Sequence, residues 1–327
     1  MPPALPSGQI NEKKIHNEKG QVGRRILGMG PFKHLALIFA LTAPGMAQDG
    51  GIEIFAGETI FTSGTRVSVT EVWKVKKGLF DGSSEISDPL NRRFEERRTV
   101  VGVNHGFARG WSISALLPFV ERSLDSTGGD LSNSGLGDLS LILKRRFHVK
   151  DWLRSAWHSA WIFGVETPTG ETGAKDAGAR LDPSLQAGSG SWDPFLGLAS
   201  TLDLDLWRFD FVALFKENGA GSQSFEEGDK LTLAISSKYR FLHEQYPGPS
   251  ASATVGLKWS QTWHAEDHDT NVSNSGGEEL LVKFAMGWHP RPDLDLGFSV
   301  DLPIHEDLNG QQLGLDNRLQ LSLGWRF

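Results

Sequence analysis

The chain has no cysteine, only two tyrosines and four methionines, and no cluster of basic residues. Without cysteine there is neither a disulfide framework nor a thiolate metal site, and no cofactor is called for. Its most apolar stretch, Leu35 to Leu41, is far shorter than the roughly 20 residues a membrane-spanning helix needs. The formal net charge is −7; the first 47 residues carry six Lys/Arg and two Asp/Glu, which leaves −11 for the rest. Nucleic-acid binding needs a Lys/Arg footprint, so nucleic acid is not an expected partner. What is plentiful is glycine (38), phenylalanine (19) and tryptophan (11). A transmembrane β-barrel uses such a composition, with aromatics at its two interfaces and apolar residues needed only at alternate positions.

The last nine residues, Leu319 to Phe327 (LQLSLGWRF), put Leu319, Leu321, Leu323, Trp325 and Phe327 on one parity and Gln320, Ser322, Gly324 and Arg326 on the other. Side chains flip at each strand residue, so this segment has one greasy and one wet face. Ending on a free aromatic, it resembles the terminal strand of bacterial outer-membrane barrels. Trp325 and Phe327 would then be the signal that the barrel-assembly machinery reads. At the other end, Lys33 and Arg24-Arg25 precede Leu35–Leu41, and Ala43-Pro44-Gly45-Met46-Ala47 follows with small residues where signal peptidase cuts. Residues 1–47 are expected to be a signal peptide, with 1–28 lying upstream of an alternative start at Met29. Residues 48–65 would then form a short periplasmic segment or plug, and 66–327 the barrel.

Period-two alternation marks about twelve strands and predicts an all-β, antiparallel up-and-down transmembrane barrel. They fall near Arg66–Lys76, Arg97–Phe107, Trp111–Arg122, Gly137–Phe147, Ala156–Thr167, Pro194–Asp203, Trp207–Lys216, Lys230–Phe241, Ala251–Trp263, Glu279–Trp288, Leu294–Leu302 and Leu313–Phe327. Short connections such as Ala108–Gly110 and Leu204–Leu206 alternate with longer polar ones, among them Lys77–Arg93, Pro168–Trp192 and Pro303–Gln312. Outer-membrane barrels have this asymmetry, with short periplasmic turns and longer outside loops.

The opposite parity is the expected lumen. Asp138, Lys144 and Arg146 come from one strand, His158 and Glu166 from the next, then Arg208, Asp210, Lys216, Lys238, Arg240, Lys258 and Lys283. Asp293, Asp295, Asp301, Arg318 and Arg326 complete it. Two readings stay open for these residues: a self-neutralised ladder that stiffens the barrel, or a polarised path that selects small solutes by charge and size.

Three blocks carry a family resemblance: GLGDLSLILKRRF (Gly135–Phe147), ETPTGETG (Glu166–Gly173) and GSGSWDPFLGLA (Gly188–Ala199). In order and spacing they resemble the outer-membrane family known as transporter or MetA-pathway of phenol degradation proteins. The resemblance implies a barrel that passes small, often hydrophobic or aromatic compounds; it assigns no ligand-binding residues. A charged lumen departs from what a purely apolar cargo would need.

Other features carry weaker expectations. Glu171–Ser191 either folds inward as a constriction or stays exposed. His264 and His268, with Glu266, Asp267 and Asp269, are the candidates for a cation such as Zn²⁺ or Ca²⁺, against a plain hydrophilic loop tip. Phe94-Glu95-Glu96-Arg97-Arg98 is a charge run at the outer rim, where it would meet lipopolysaccharide or water. Membrane lipid and a small-molecule substrate are the remaining partners. The alternative to a channel is a structural or adhesive barrel. A phospholipase-like enzyme would need Ser and His side by side on the lipid face, and the outward candidates His105, Ser159 and Ser237 sit on non-adjacent strands.

Overall fold

The computed structural model describes residues 56–327, so the signal-peptide expectation lies outside the described residues. The wall is made of β1 (Thr65–Gly82), β2 (Arg93–Ala108), β3 (Trp111–Asp125), β4 (Ser140–Asp151), β5 (Ser155–Glu166), β6 (Asp193–Leu204), β7 (Trp207–Lys216), β8 (Lys230–His243), β9 (Ser250–Thr262), β10 (Gly277–Arg291) and β11 (Leu294–Arg326). Each pairs antiparallel with its neighbour in sequence, and β11 returns to β1, closing the sheet into a barrel without a free edge.

The last element is 33 residues long and crosses the wall twice. Its first arm pairs with β10 from Leu294 to Leu308, and its second pairs with β1 from Leu308 to Arg326. Arg326 N donates to Asp293 O (2.8 Å) and Arg318 meets Asp301 (2.6 Å), so the arms lie side by side. The chain reverses around Gly310, whose φ of +66° is a left-handed conformation that suits glycine. Eleven segments therefore make twelve crossings, as the alternation predicts.

Parity decides the faces. Val69, Val101, Ile113, Leu141, Phe163, Leu196, Phe211, Ile235, Leu257, Phe284 and Leu302 all point out and are exposed. Such a belt is unstable in water and favourable against hydrocarbon, which places the protein in the bacterial outer membrane. Aromatics gather at its margins. Near the short turns Trp207 packs on Tyr239 (ring centroids 4.8 Å) and Arg291 lies over Trp325 (5.6 Å); near the long loops Phe215 meets Trp263 (6.1 Å). Among the described residues no helix is long and apolar enough to cross a membrane.

The rim differs from the expectation. Lys77–Arg93 and Pro303–Gln312 read as loops because their charged residues break the apolar alternation. They are largely strand: β1 runs to Gly82 and turns back to pair with Ser84–Ile86, and β11 continues through Pro303–Gln312. Leu131–Leu136 likewise pairs with the outer end of β3. Above the lipid a strand needs no apolar face, so hydropathy alternation fades where pairing does not.

Candidate functional site in the barrel lumen

Inward side chains form three tiers. The basal tier lies near the short turns. Arg208 meets Asp210 (3.1 Å), and Thr201 Oγ1 donates to the same carboxylate (2.6 Å). Arg146 Nη1 stands 3.4 Å from His158 Nδ1, and His158 Nε2 is 3.4 Å from Asp151. Lys238 is in register with Arg208, and Arg240 follows one inward position nearer the turn. Arg66 and Arg326 converge on Asp295 at 2.5 and 3.7 Å.

This tier is occupied by the chain itself. Residues 56–62, just before β1, run into the barrel mouth. Glu58 pairs with Arg208 (2.9 Å), Gly57 N donates to Thr201 Oγ1 (2.8 Å), and Lys144 Nζ donates to Ala56 O. Ser63 N, donating to Gly106 O (2.6 Å), fixes the point of entry. Gly57 lies against the backbone of β5 and β6: a Cβ there would stand 2.8 Å from Thr201 N.

The middle tier is apolar. Val100, Leu116, Ile142, Ile162, Phe195, Ala199, Val212 and Leu214 form one cluster, each at most 5% exposed. The Phe195 ring lies against Gly164, where a Cβ would overlap it. Overpacking of this kind typically costs about 1–3 kcal/mol. Gly164→Ala is therefore expected to lower the urea midpoint of the folded barrel, and adding Phe195→Ala to restore part of the loss. An unchanged midpoint in the single variant would show that the ring moves aside freely.

The inward charges alone do not reveal this tier. Its signal was present in Ala115–Val120 (ALLPFV), where both parities are apolar, so the inner face has to pack against something.

The upper tier is a chamber of about 360 Å³. Glu96 lies between Arg98 (3.0 Å) and Arg122 (2.7 Å), and Lys216 between Glu166 (2.7 Å) and Asp193 (3.4 Å). Lys258 and Arg318 also line it, and just below them Asp301 receives Arg318 (2.6 Å) and Lys283 (3.6 Å). The charge run at Phe94–Arg98 is thus divided by parity. Glu96 and Arg98 face the lumen, while Arg97 stays outside, pairing with Glu71 (3.2 Å). At the outer rim Glu226 is in register with Glu266, and burial, then this facing carboxylate, push its pKa up.

The chamber has a ceiling. Glu171–Ser191 folds inward, with Leu185, Gln186 and Ala187 buried, and Arg122 donates to the carbonyls of Gln186 (2.5 Å) and Ser184 (3.2 Å). Its two ends are held by one carboxylate. Asp138 accepts from Gly170 N (2.8 Å), Ser189 N (2.6 Å) and Ser189 Oγ (2.9 Å). Beside this clasp the backbones of Gly170 and Gly188 touch, and a Cβ on Gly170 would stand 2.7 Å from Gly188 Cα. Asp193 anchors the loop's exit by accepting from Ser191 Oγ (2.6 Å) and Gly219 N (3.0 Å). The three sequence blocks meet here. They encode the base of an inward loop.

The other candidates lie elsewhere. His264 Nδ1 faces Val272 O (3.2 Å), and His268 Nδ1 faces Asp267 (2.7 Å). No group of three or more His, Asp or Glu side chains is arranged around a metal position among the described residues. His105 bonds Thr65 (2.9 Å) and Ser159 bonds Ser200 (3.0 Å), so the structure does not bring them together. Trp325 and Phe327 end the strand that closes the barrel, with Phe327 N donating to Thr65 O (2.9 Å).

A family model described as "Putative MetA-pathway of phenol degradation" matches residues 82–306. The COG4313 outer membrane channel from Pseudomonas putida F1 is similar in structure, with a TM-score of 0.65, 17% identity, and coverage of 83% of this chain and 97% of that one. The β domain of the Bordetella autotransporter BrkA scores 0.47 at 12% identity, covering 81% and 100%. The CymD monoaromatic hydrocarbon channel scores 0.38 at 9% identity, covering 81% and 88%. None of the curated proteins matches the sequence.

Proposed function

The chain belongs to the MetA-pathway of phenol degradation family, and from that premise we propose that it is an outer-membrane channel for passive passage of small solutes through its lumen. The observation that carries this reading is the lumen itself. A barrel that served only as a wall or an anchor would fill its interior. Here a chamber of about 360 Å³ remains between the inward loop and the apolar tier. The solved channel from Pseudomonas putida F1, of like fold, is described as an outer membrane channel, and the same role is proposed here.

The three tiers also bear on the cargo. A neutral hydrocarbon would suit the middle tier but would meet desolvated charge above and below it, whereas a strongly hydrated ion faces the reverse penalty. A small molecule with an aromatic or aliphatic body and a polar group suits all three. Nothing in this reading calls for catalysis. Residues 56–62 act as the plug, Trp325 and Phe327 as the signal to the assembly machinery, and Arg97 at the outer rim as a contact for lipopolysaccharide phosphates. Planar-bilayer recording on the purified protein tests the reading: discrete steps are expected, and a folded barrel that never conducts would favour the structural alternative.

A further inference from the structure

The geometry points to the upper chamber as a binding site for a small organic monoanion, a carboxylate on a ring or a short apolar chain; this rests on the channel reading and names its cargo class.

Seven basic and five acidic side chains line the chamber under the inward loop, and one of the basic ones, Arg318, is paired with Asp301 just outside the lining. Most acidic groups there are committed. Glu96 and Glu166 hold arginine and lysine partners, and Asp138 is taken up by the loop backbone. The wall that faces the basic groups is not uniformly polar. On β1, β2 and β3 the sheet register sets Arg98 between Val72 and Val120, and Pro118 lies one inward position below Val120.

A guanidinium flanked by two valines offers a charged end and an apolar shelf within one side-chain length. Arg98 is also incompletely used. One of its nitrogens bonds Glu96 (3.0 Å), whereas Nε is buried and has no hydrogen-bond partner. Lys74, one inward position above Val72 and in register with Glu96, makes no ion pair among the described residues; its ammonium lies 6.0 Å from the Phe94 ring. A carboxylate placed between Arg98 and Lys74 would satisfy both donors while its body covers Val72, Val120 and Pro118. At about 360 Å³ the chamber is of the size that holds one small molecule. A planar carboxylate matches the guanidinium fork better than a point-like halide does.

Calorimetric titration of the detergent-solubilised protein with benzoate, benzyl alcohol, benzylammonium and acetate tests this assignment. Benzoate is expected to bind at least about tenfold more tightly than the other three, a difference of roughly 1.4 kcal/mol. Arg98→Gln should remove most of that advantage and leave benzyl alcohol unchanged, and Arg98→Lys should keep part of it. Lys74→Gln, which breaks no ion pair, supplies a second variant expected to weaken benzoate in the same direction. Equal binding of benzyl alcohol or benzylammonium would overturn the charge assignment, and equal binding of acetate would overturn the apolar shelf. Absence of benzoate binding, or benzoate binding unchanged in both Arg98→Gln and Lys74→Gln, would overturn the site as a whole. The channel reading is judged apart, by conductance: a barrel that binds benzoate and never conducts loses the channel and keeps the site.

Discussion

Asp138→Ala is expected to raise single-channel conductance about as much as deleting residues 172–188, because one carboxylate holds both ends of the inward loop. It accepts three hydrogen bonds, from Gly170 N, Ser189 N and Ser189 Oγ. Hydrogen bonds to a charged group are each worth roughly 1.5–3 kcal/mol, so their joint loss removes the clasp at the loop's base and leaves Arg122, Asn133, Asp193 and the backbone bonds of Glu171 and Ser189 to hold it. The barrel wall does not depend on Asp138: β4 begins at Ser140, and β3 and β5 still pair with it. The folded fraction, read from heat-modifiable gel migration, should therefore be unchanged while conductance rises about twofold or more, as expected when an obstruction leaves a narrow pore. Asp138→Asn keeps one of the two acceptor oxygens and should show a smaller rise. Equal conductance in wild type, Asp138→Ala and the deletion would mean that the loop does not limit the path.

The second large effect lies at the other mouth. Glu58→Lys sets a cation among Arg208 and Lys144, which together with Thr201 hold residues 56–58 in the lumen. Like charges in a low-dielectric interior repel by several kcal/mol, so the segment should leave the barrel. Conductance is expected to rise about threefold or more, since a barrel of this strand number has little interior to spare. The freed segment should also become cleavable by a protease added from the short-turn side, at a site protected in wild type. Glu58→Gln loses the ion pair without adding repulsion, and its effect should be intermediate. A silent Glu58→Lys variant whose segment is cleaved would show that the plug is not what closes the pore.

Much of this architecture is legible in the sequence, and the reason is physical. Hydrocarbon favours apolar residues at outward positions, so Trp207–Lys216 is marked by Trp207, Phe209, Phe211 and Phe215. Where lipid stops, that preference stops. The rim pairing of Pro303–Gln312 and Leu131–Leu136 is held by backbone bonds that leave no trace in side-chain alternation. Inward charges could be listed from parity, but their partners could not. Glu58 and Arg208 are 150 positions apart and meet only because residues 56–62 turn back into the lumen. The apolar tier was visible in Ala115–Val120, yet a rule that reads one parity as lipid and the other as water hides it. Asp138 shows the reverse. It lies in a block that carries the family resemblance and by parity reads as a lumen charge, whereas its work is to clamp a loop.

Both inserts restrict one path, and the central claim is that this path runs through the barrel lumen. The most direct measurement is planar-bilayer conductance of the wild-type protein, Glu58→Lys, the 172–188 deletion and the two changes combined, under one salt condition. The account predicts discrete steps in all four, larger in each single variant than in wild type and largest in the combination. A barrel equally silent, or equally conductive, in all four would contradict it.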